Sequence, residues 1–574
     1  MRVDINGAFH DNLCHIGNVD ENLAAASQYP MVYGGCVNSL NVPGLQGSGN
    51  NTTYNNNYSK NLAPRIGMAY DIGGHNKTVV RAGYGIYYVR EDVGSVDQLS
   101  FQAPFLPITF GGGSPGCLGT YFSATPLAGC PNPNPNALPT AGTLSPSFIP
   151  CQSVFTGFGN SIPGQPATNQ APSYGCAAGS PGSIPTEGLF MLAVPRRFVS
   201  PNTQQWNLTI QRDLGKQWIL EVGYVGTHAI HLRETRTDIP ERLASVANPI
   251  NVTDVSGNSY AITTNTLANG PIRSSNPQIN GYNGFQIFDN SAYSHYHSLQ
   301  TTVSRRWNHG YFQGAYTFSK STDATSSGNT AFNTAYNNES DLQASRGLSD
   351  FDRPHRLSVS YRYDLPFFSG ATGWKRAALA NWAISGITII QSGTPFTVID
   401  SAAGSAFVGP GYTTTLTGSI APGSAISQGY TGGGIGNELA NGYLNGANFT
   451  RAPFLYFPSG VCTDPTGNTC VTEFGNLGRN TFRGPYQQNW DFSLQKNFQL
   501  TERFGLRFTT DFFNIWNHAN FANPSITDVE TIATCTPGVN GCPANGINPS
   551  SPFGKIFSTL GTPRLIQFSL RLAF

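Results

Sequence analysis

Apolar and polar residues alternate over stretches of about ten positions, the period of a strand with one buried and one wet face. In LAPRIGMAYD (62–71), Leu62, Ile66, Met68 and Tyr70 share one face. After the polar turn IGGHNK comes TVVRAGYGIYYV (78–89), with Val80, Tyr84, Ile86 and Tyr88 in phase. The same text recurs at 203–213, 217–228, 297–306, 311–320, 355–365, 381–391, 489–497 and 503–513. It ends in IQFSLRLAF (566–574), where Ile566, Phe568, Leu570, Leu572 and Phe574 alternate with Gln567, Ser569, Arg571 and Ala573. The pattern predicts about eleven antiparallel strands.

The connections alternate as regularly as the side chains. Turns such as LGK and WNHG are short. Between them lie long connections at about 90–200, 232–295, 321–354, 400–484 and 514–562. Short turns on one side and long loops on the other are the plan of a transmembrane β-barrel, whose tilted strands need about 9 to 11 residues to cross. The face opposite the apolar one carries Arg65, Arg81, Glu221, Arg356, Arg362, Asp364, Arg507, Asp511 and Arg571, as a watery lumen requires. Lipid offers no partners to backbone amides, so such strands must belong to a closed ring. A soluble β-sandwich is the rival, but its loops are seldom this long.

Eleven is an odd count, whereas bacterial single-chain barrels have even ones. If the last strand descends to the periplasm, the first does too, and residues 1–61 form an outer loop. Eleven is half of 22, the strand number of the plugged barrels. The expectation is the C-terminal half of a 22-stranded barrel over 62–574.

Composition agrees with this picture. Charged residues are 11%, well under the roughly 25% of ordinary globular chains. Aromatics are 12%, with 36 Phe and 25 Tyr, which argues against disorder throughout. Net charge is +1, so nothing suggests nucleic acid as a partner. No run approaches the 18 or so apolar residues of a membrane helix. MRVDINGAFHDNLCHIG lacks a signal-peptide pattern, which we read as a missing front end.

Ten cysteines all fall in loop text, and disulfides are the expectation, neighbours first: Cys462 with Cys470, Cys535 with Cys542. Zinc is the rival, but no CxxC or Cys/His spacing appears. GGSPG fits GxSxG around Ser114, but a nucleophile elbow needs a strand before and a helix after, and this is a loop. HAIH (His228, His231) and HYH (His295, His297) lie at outer strand ends and read as polar rim residues rather than metal ligands. Trp206, Trp218, Trp382 and Trp490 read as interfacial girdles. No catalytic, cofactor or metal residue is assigned.

NLAPRIGMAYD, KTVVRAGYGIYYVRED, AYTFSKSTD (315–323), DFDRPHRLSVSY (350–361), NWAISGITIIQSGTPFTV (381–398), DFFNIWNHANF (511–521) and IQFSLRLAF together resemble the barrel of TonB-dependent receptors of the Oar-like kind. The matches run in order from about 61 to 574. Members of that family have a signal peptide, a carboxypeptidase-regulatory-like domain, a plug and a 22-stranded barrel. The resemblance implies active transport of an unknown extracellular substrate across the outer membrane. Outer-membrane lipid and the barrel-assembly machinery would be partners, the latter through Phe568, Leu570, Leu572 and Phe574. The TonB complex would act only through a plug domain that this sequence lacks, so the expectation is a fragment. A passive porin-like channel and a surface adhesin or structural barrel are the alternatives.

Overall fold

The structure, a computed structural model, describes residues 61–89, 191–195, 197–237, 285–326, 345–400, 417–450, 475–501, 503–539 and 546–573, with short separate pieces elsewhere. Eleven long strands form one antiparallel sheet. They are β1 (Arg65–Asp71), β2 (Thr78–Tyr88), β3 (Asn202–Gly215), β4 (Trp218–Thr237), β5 (Phe285–Trp307) and β6 (Gly310–Asp323). Then follow β7 (His355–Asp364), β8 (Trp382–Gln391), β9 (Gln487–Gln499), β10 (Gly505–Phe513) and β11 (Leu565–Ala573). Each of these eleven pairs with its sequence neighbour, so they form a meander, to which the short segments Met191–Ala193 and Gly347–Leu348 add, the first parallel to β5 and the second antiparallel to β6. Among the described residues β1 and β11 do not pair, and the sheet is open. With an odd number of antiparallel strands, these two edges run the same way.

Every strand expected from the alternation is present. Two extend far beyond the expected ends: β4 continues to Thr237 and β5 begins at Phe285, so the connection between them is shorter than 232–295. These extensions were not legible as strands because register shifts between Ala229, Leu232 and Glu234 break the two-residue period. His231 there has a φ of 56°.

The register follows from the alternation. Paired residues share a face, so the pairs Ile66↔Tyr84, Tyr84↔Trp206, Trp206↔Gly226 and Gly226↔His297 carry one face across β1 to β5. Continued through β11, this face holds Phe318, Leu357, Ile390, Trp490, Phe512 and Ile566. Its side chains are exposed: Ile66 is 71%, Phe568 67% and Leu570 66% accessible. An apolar face of this extent in water would be an association surface; facing hydrocarbon it is at equilibrium.

Short turns close one end of the hairpins. Gly73 and Gly74 take positive φ in the first, where the Asn76 amide donates to Asp71. The second is a two-residue turn in which Lys216 and Gln217 both have positive φ, the geometry that matches strand twist. The β7–β8 connection includes a one-turn-plus helix, α1 (Gly373–Leu379).

Glycine is required where an aromatic ring lies flat across the sheet. A methyl group on Gly226 would stand 2.3 Å from Cε2 of Trp206, the residue directly opposite. Gly226→Ala is therefore expected to cost about 1–3 kcal/mol, as overpacking does. Urea unfolding of the micelle-folded protein would read it; an unchanged midpoint would show that Trp206 swings away freely.

Candidate functional site

The nine charged residues expected in the lumen all lie on one face by register. Arg65, Gly85, Gln205 and Thr227 are successive partners, as are Arg81, Thr209 and Gly223. Glu221 lies opposite Thr302, Arg356 opposite Thr317, Arg362 opposite Tyr311, Asp364 opposite Ala383 and Asp511 opposite Gln567. The face is chiefly hydroxyl, amide and charge. Arg81 donates to Gln211 at 2.6 Å, and Arg65 lies over the Tyr87 ring at 4.4 Å. Arg362 pairs with Asp364 at 2.8 Å and also donates to Gln495. It is not wholly polar, since Ile219, Ile387 and Ile389 share it. The run GITII is apolar at both parities, so sequence alone does not orient β8.

One pairing on this face is electrostatically unfavourable. Arg507 and Arg571 are directly opposite and both exposed. Like charges in that position repel. Arg507 reaches sideways to Asn497 at 3.0 Å, which neutralises nothing. Near the short-turn end the face also holds a cleft of about 850 Å³, lined by Lys77, Arg81, Asp213, Ile219, Arg306 and Gln313 among others.

The long-loop end departs most from expectation. The described parts of the last two long connections, 392–400, 417–450, 475–486, 514–539 and 546–564, fold on each other. Val398, Leu444, Leu477 and Phe482 are at most 2% accessible and join Phe396, Phe449, Val529 and Phe553 in one core. Phe449 meets Phe482 and Phe553 edge-on at 5.3 and 5.2 Å. A helix, α2 (Ile435–Asn441), and short strand pairs complete this cap. Two tyrosines grip the backbone of Arg483: its amide donates to Tyr430 Oη at 2.7 Å, and Tyr443 Oη donates to its carbonyl at 2.9 Å.

Burial, with help from Tyr430 and Glu438, pushes the Tyr443 phenol well above its ordinary range. Burial likewise raises Tyr430. Both phenols must stay neutral in the folded cap, so their folded pKa exceeds the unfolded value of about 10. The cap keeps its full stability below that pH and loses it as pH rises above. Tyrosinate absorbance is expected to rise together with loss of cap tertiary circular dichroism. Tyr443→Phe should weaken the cap by about 1 kcal/mol at neutral pH and flatten the alkaline fall. An equal alkaline slope in both proteins would dismiss this account.

Three clamps fasten the cap to the strands. The first is Arg479, whose side chain is 1% accessible. It pairs with Asp323 at the end of β6, donates to the Asp323 and Ser345 carbonyls and Ser326 Oγ, and reaches Asp350 at 3.2 Å. The second is Arg483, paired with Asp352 at 2.6 Å and donating to the Asp352 and Gly393 carbonyls. Asp352 in turn accepts from the Ser321 amide in β6. The third is a set of asparagines. Asn520 exchanges hydrogen bonds with both backbone groups of Gln488, and Asn514 ties His518 and Thr562 together.

These residues give physical roles to two segments of the resemblance, DFDRPHR and NIWNHANF, and to GRNTFRGP (478–485), which the resemblance did not include. DFDRPHR and GRNTFRGP are two halves of one clamp, and NIWNHANF is the asparagine lock. None of the clamp residues Asp323, Asp350, Asp352, Arg479, Arg483, Asn514 and Asn520 was singled out as a site residue. Their signal was present: charged and amide residues amid Gly and Pro, where solvated loops need none.

Cys535 and Cys542 form a disulfide at a Cα separation of 5.9 Å. Cys462, Cys470, Ser114 and Phe574 lie outside the described residues. The histidines meet across β4 and β5, with His228 directly opposite His295, while His231 lies in the irregular stretch. Among the described residues no group of three or more His, Cys, Asp or Glu is placed to hold a metal ion.

A family model described as an outer membrane beta barrel domain matches residues 1–567, and the chain belongs to that family. It is an outer-membrane protein with an all-β fold. Similar solved structures include the outer membrane transporter YddB from Escherichia coli: 10% identity, 89% of this chain, 40% of that chain, TM-score 0.36. The ferripyoverdine receptor of Pseudomonas aeruginosa bound to ferripyoverdine gives 10%, 89%, 32% and 0.32. The ferric preacinetobactin receptor BauA from Acinetobacter baumannii gives 9%, 89%, 36% and 0.31. The chain spans at most 40% of the length of these three structures. No curated protein matches it.

Proposed function

We propose that this chain forms wall and outer cap of a TonB-dependent transporter of the Oar-like kind, with no catalytic step of its own. The observation that carries the reading is one sheet with an apolar face, a polar face that holds the nine named charged residues, and a packed cap at one end. A plain pore gains nothing from a built cap over its mouth. A transporter that captures scarce solute gains a shaped outer surface held rigidly to its strands.

In this reading the polar face lines the path and the cap contacts solute. The repelling pair Arg507 and Arg571 awaits an anionic neighbour, and a plug is the natural supplier. Two edges running the same way need an odd number of further strands to complete an antiparallel ring, which supports a larger assembly. The last strand, through Phe568, Leu570, Leu572 and Phe574, would present the assembly signal.

The test is solute depletion from the medium by cells with and without the gene, each with and without a protonophore. A solute whose depletion needs both the gene and the proton gradient supports the proposal. Depletion that survives the protonophore, or swelling of protein-loaded liposomes in sugars, supports a passive channel. Loss of surface attachment with no change in any solute supports an adhesin.

A further inference from the structure

The apolar face ends differently at its two rims. At the short-turn rim the cations sit against aromatic rings. Arg305 sits between the Trp218 and Trp307 rings at 5.2 and 5.3 Å. Lys496 is fully buried, donates to the Ala380 carbonyl and lies over the Trp382 and Phe498 rings.

At the long-loop rim the same face gathers His228, His295, His297 and Lys320. His228 and His295 are register partners with stacked rings 4.3 Å apart. His297 is partner to Gly226 on one side and Lys320 on the other. Tyr224 Oη bonds His297 Nδ1 at 2.7 Å; with the phenol donating, the neutral ring carries its hydrogen on Nε2. Arg346 is a further charged neighbour of His295. Lys320 is exposed, and among the described residues no carboxylate pairs with it. The nearby carboxylates are engaged elsewhere: Asp323 and Asp350 with Arg479, Glu234 with Ser291.

Depth places this cluster. Arg305 lies eight positions beyond His297 on β5. At a rise of about 3.4 Å and a tilt of about 40° they span roughly 20 Å along the membrane normal, against an apolar band about 25 Å tall. The cluster therefore stands where hydrocarbon gives way to headgroups. Cations and N–H donors at that level, with no acceptor among the described residues, call for an anion from the leaflet. Phosphate presents several acceptor oxygens and matches a spread of point donors.

We propose that His228, His295, His297 and Lys320 form a binding site for the phosphate of an outer-leaflet lipid headgroup. Trp206, 6.1 Å from His297, and Tyr224 flank it as rings that favour the interface. The site belongs to the lipid-facing side, so it is independent of whatever crosses the lumen.

The full chain, folded in a neutral zwitterionic detergent, would be titrated with bisphosphorylated lipid A and with the same lipid enzymatically dephosphorylated. Bound lipid is counted by native mass spectrometry. The phosphorylated form is expected to bind roughly tenfold more tightly, and Lys320→Ala to remove much of that preference. His228→Ala with His297→Ala should remove the rest, with an unchanged unfolding midpoint as the folding control. Lys320→Ala removes no ion pair or hydrogen bond among the described residues and keeps the test decisive if the histidine pair misfolds. Arg305→Ala, at the other rim, should leave binding unchanged. Equal binding of the two lipid forms overturns the proposal, as does a preference that Lys320→Ala leaves intact. Displacement of lipid by millimolar inorganic phosphate alone would mean a free-ion site and would equally overturn it.

Discussion

Replacing Arg479 with leucine is expected to detach the outer cap. The guanidinium is 1% accessible and its partner Asp323 is 4% accessible at the side chain, so the variant leaves a buried carboxylate with no counter-charge. Breaking one side of such a pair costs about 3–5 kcal/mol. Asp350 contributes less, because its side chain is 60% exposed and water screens it. The loss should be local, since the strand ladder does not depend on this residue. Amide hydrogen exchange is the suitable measurement: amides of Gly418, Leu477 and Val529 in the cap should lose protection, while those of β2 and β3 keep theirs. A second change, Asp323→Leu, should restore part of the loss by removing the orphaned charge. Uniform loss across the sheet, or a cost near zero, would dismiss the clamp.

A charge in the middle of the apolar face is the second large effect. Ile210 lies opposite Val80 and Val222, midway between the two aromatic rims, and is 45% accessible. Ile210→Arg is expected to destabilise the vesicle-folded protein by about 2–4 kcal/mol, the midplane cost of a lipid-facing cation. Thr302 stands at nearly the same depth on the polar face, opposite Glu221. Thr302→Arg introduces a cation beside a carboxylate in the wet face and should cost about 1 kcal/mol or less. Guanidinium titration from vesicles reads both. Equal costs would mean that the two faces see the same solvent, which no membrane barrel allows.

The two experiments probe different levels of the molecule, and sequence was informative about only one. The register that places Ile210 and Thr302 on opposite faces is written locally. A strand repeats every two residues, so one parity must be apolar if one face meets lipid. Eleven such runs, with short and long connections in alternation, left the meander as the simplest order. Only where bulges shift the parity, in β4 beyond Ala229, or where both parities are apolar, in β8, did the pattern fail.

The cap was beyond that reach. Arg479 and Asp323 are 156 positions apart, and Asn480 reaches Asp350 across 130. Loop text has no period, so nothing local distinguishes a buried Arg from a solvated one. What the sequence by itself determined is the number of crossings, their order and which side chains share a face, because periodicity and backbone hydrogen bonding leave no other solution in lipid. What only the tertiary structure decided is that described parts of the last two long connections form a single packed body clamped to the strands, because that depends on distant residues meeting and excluding water together.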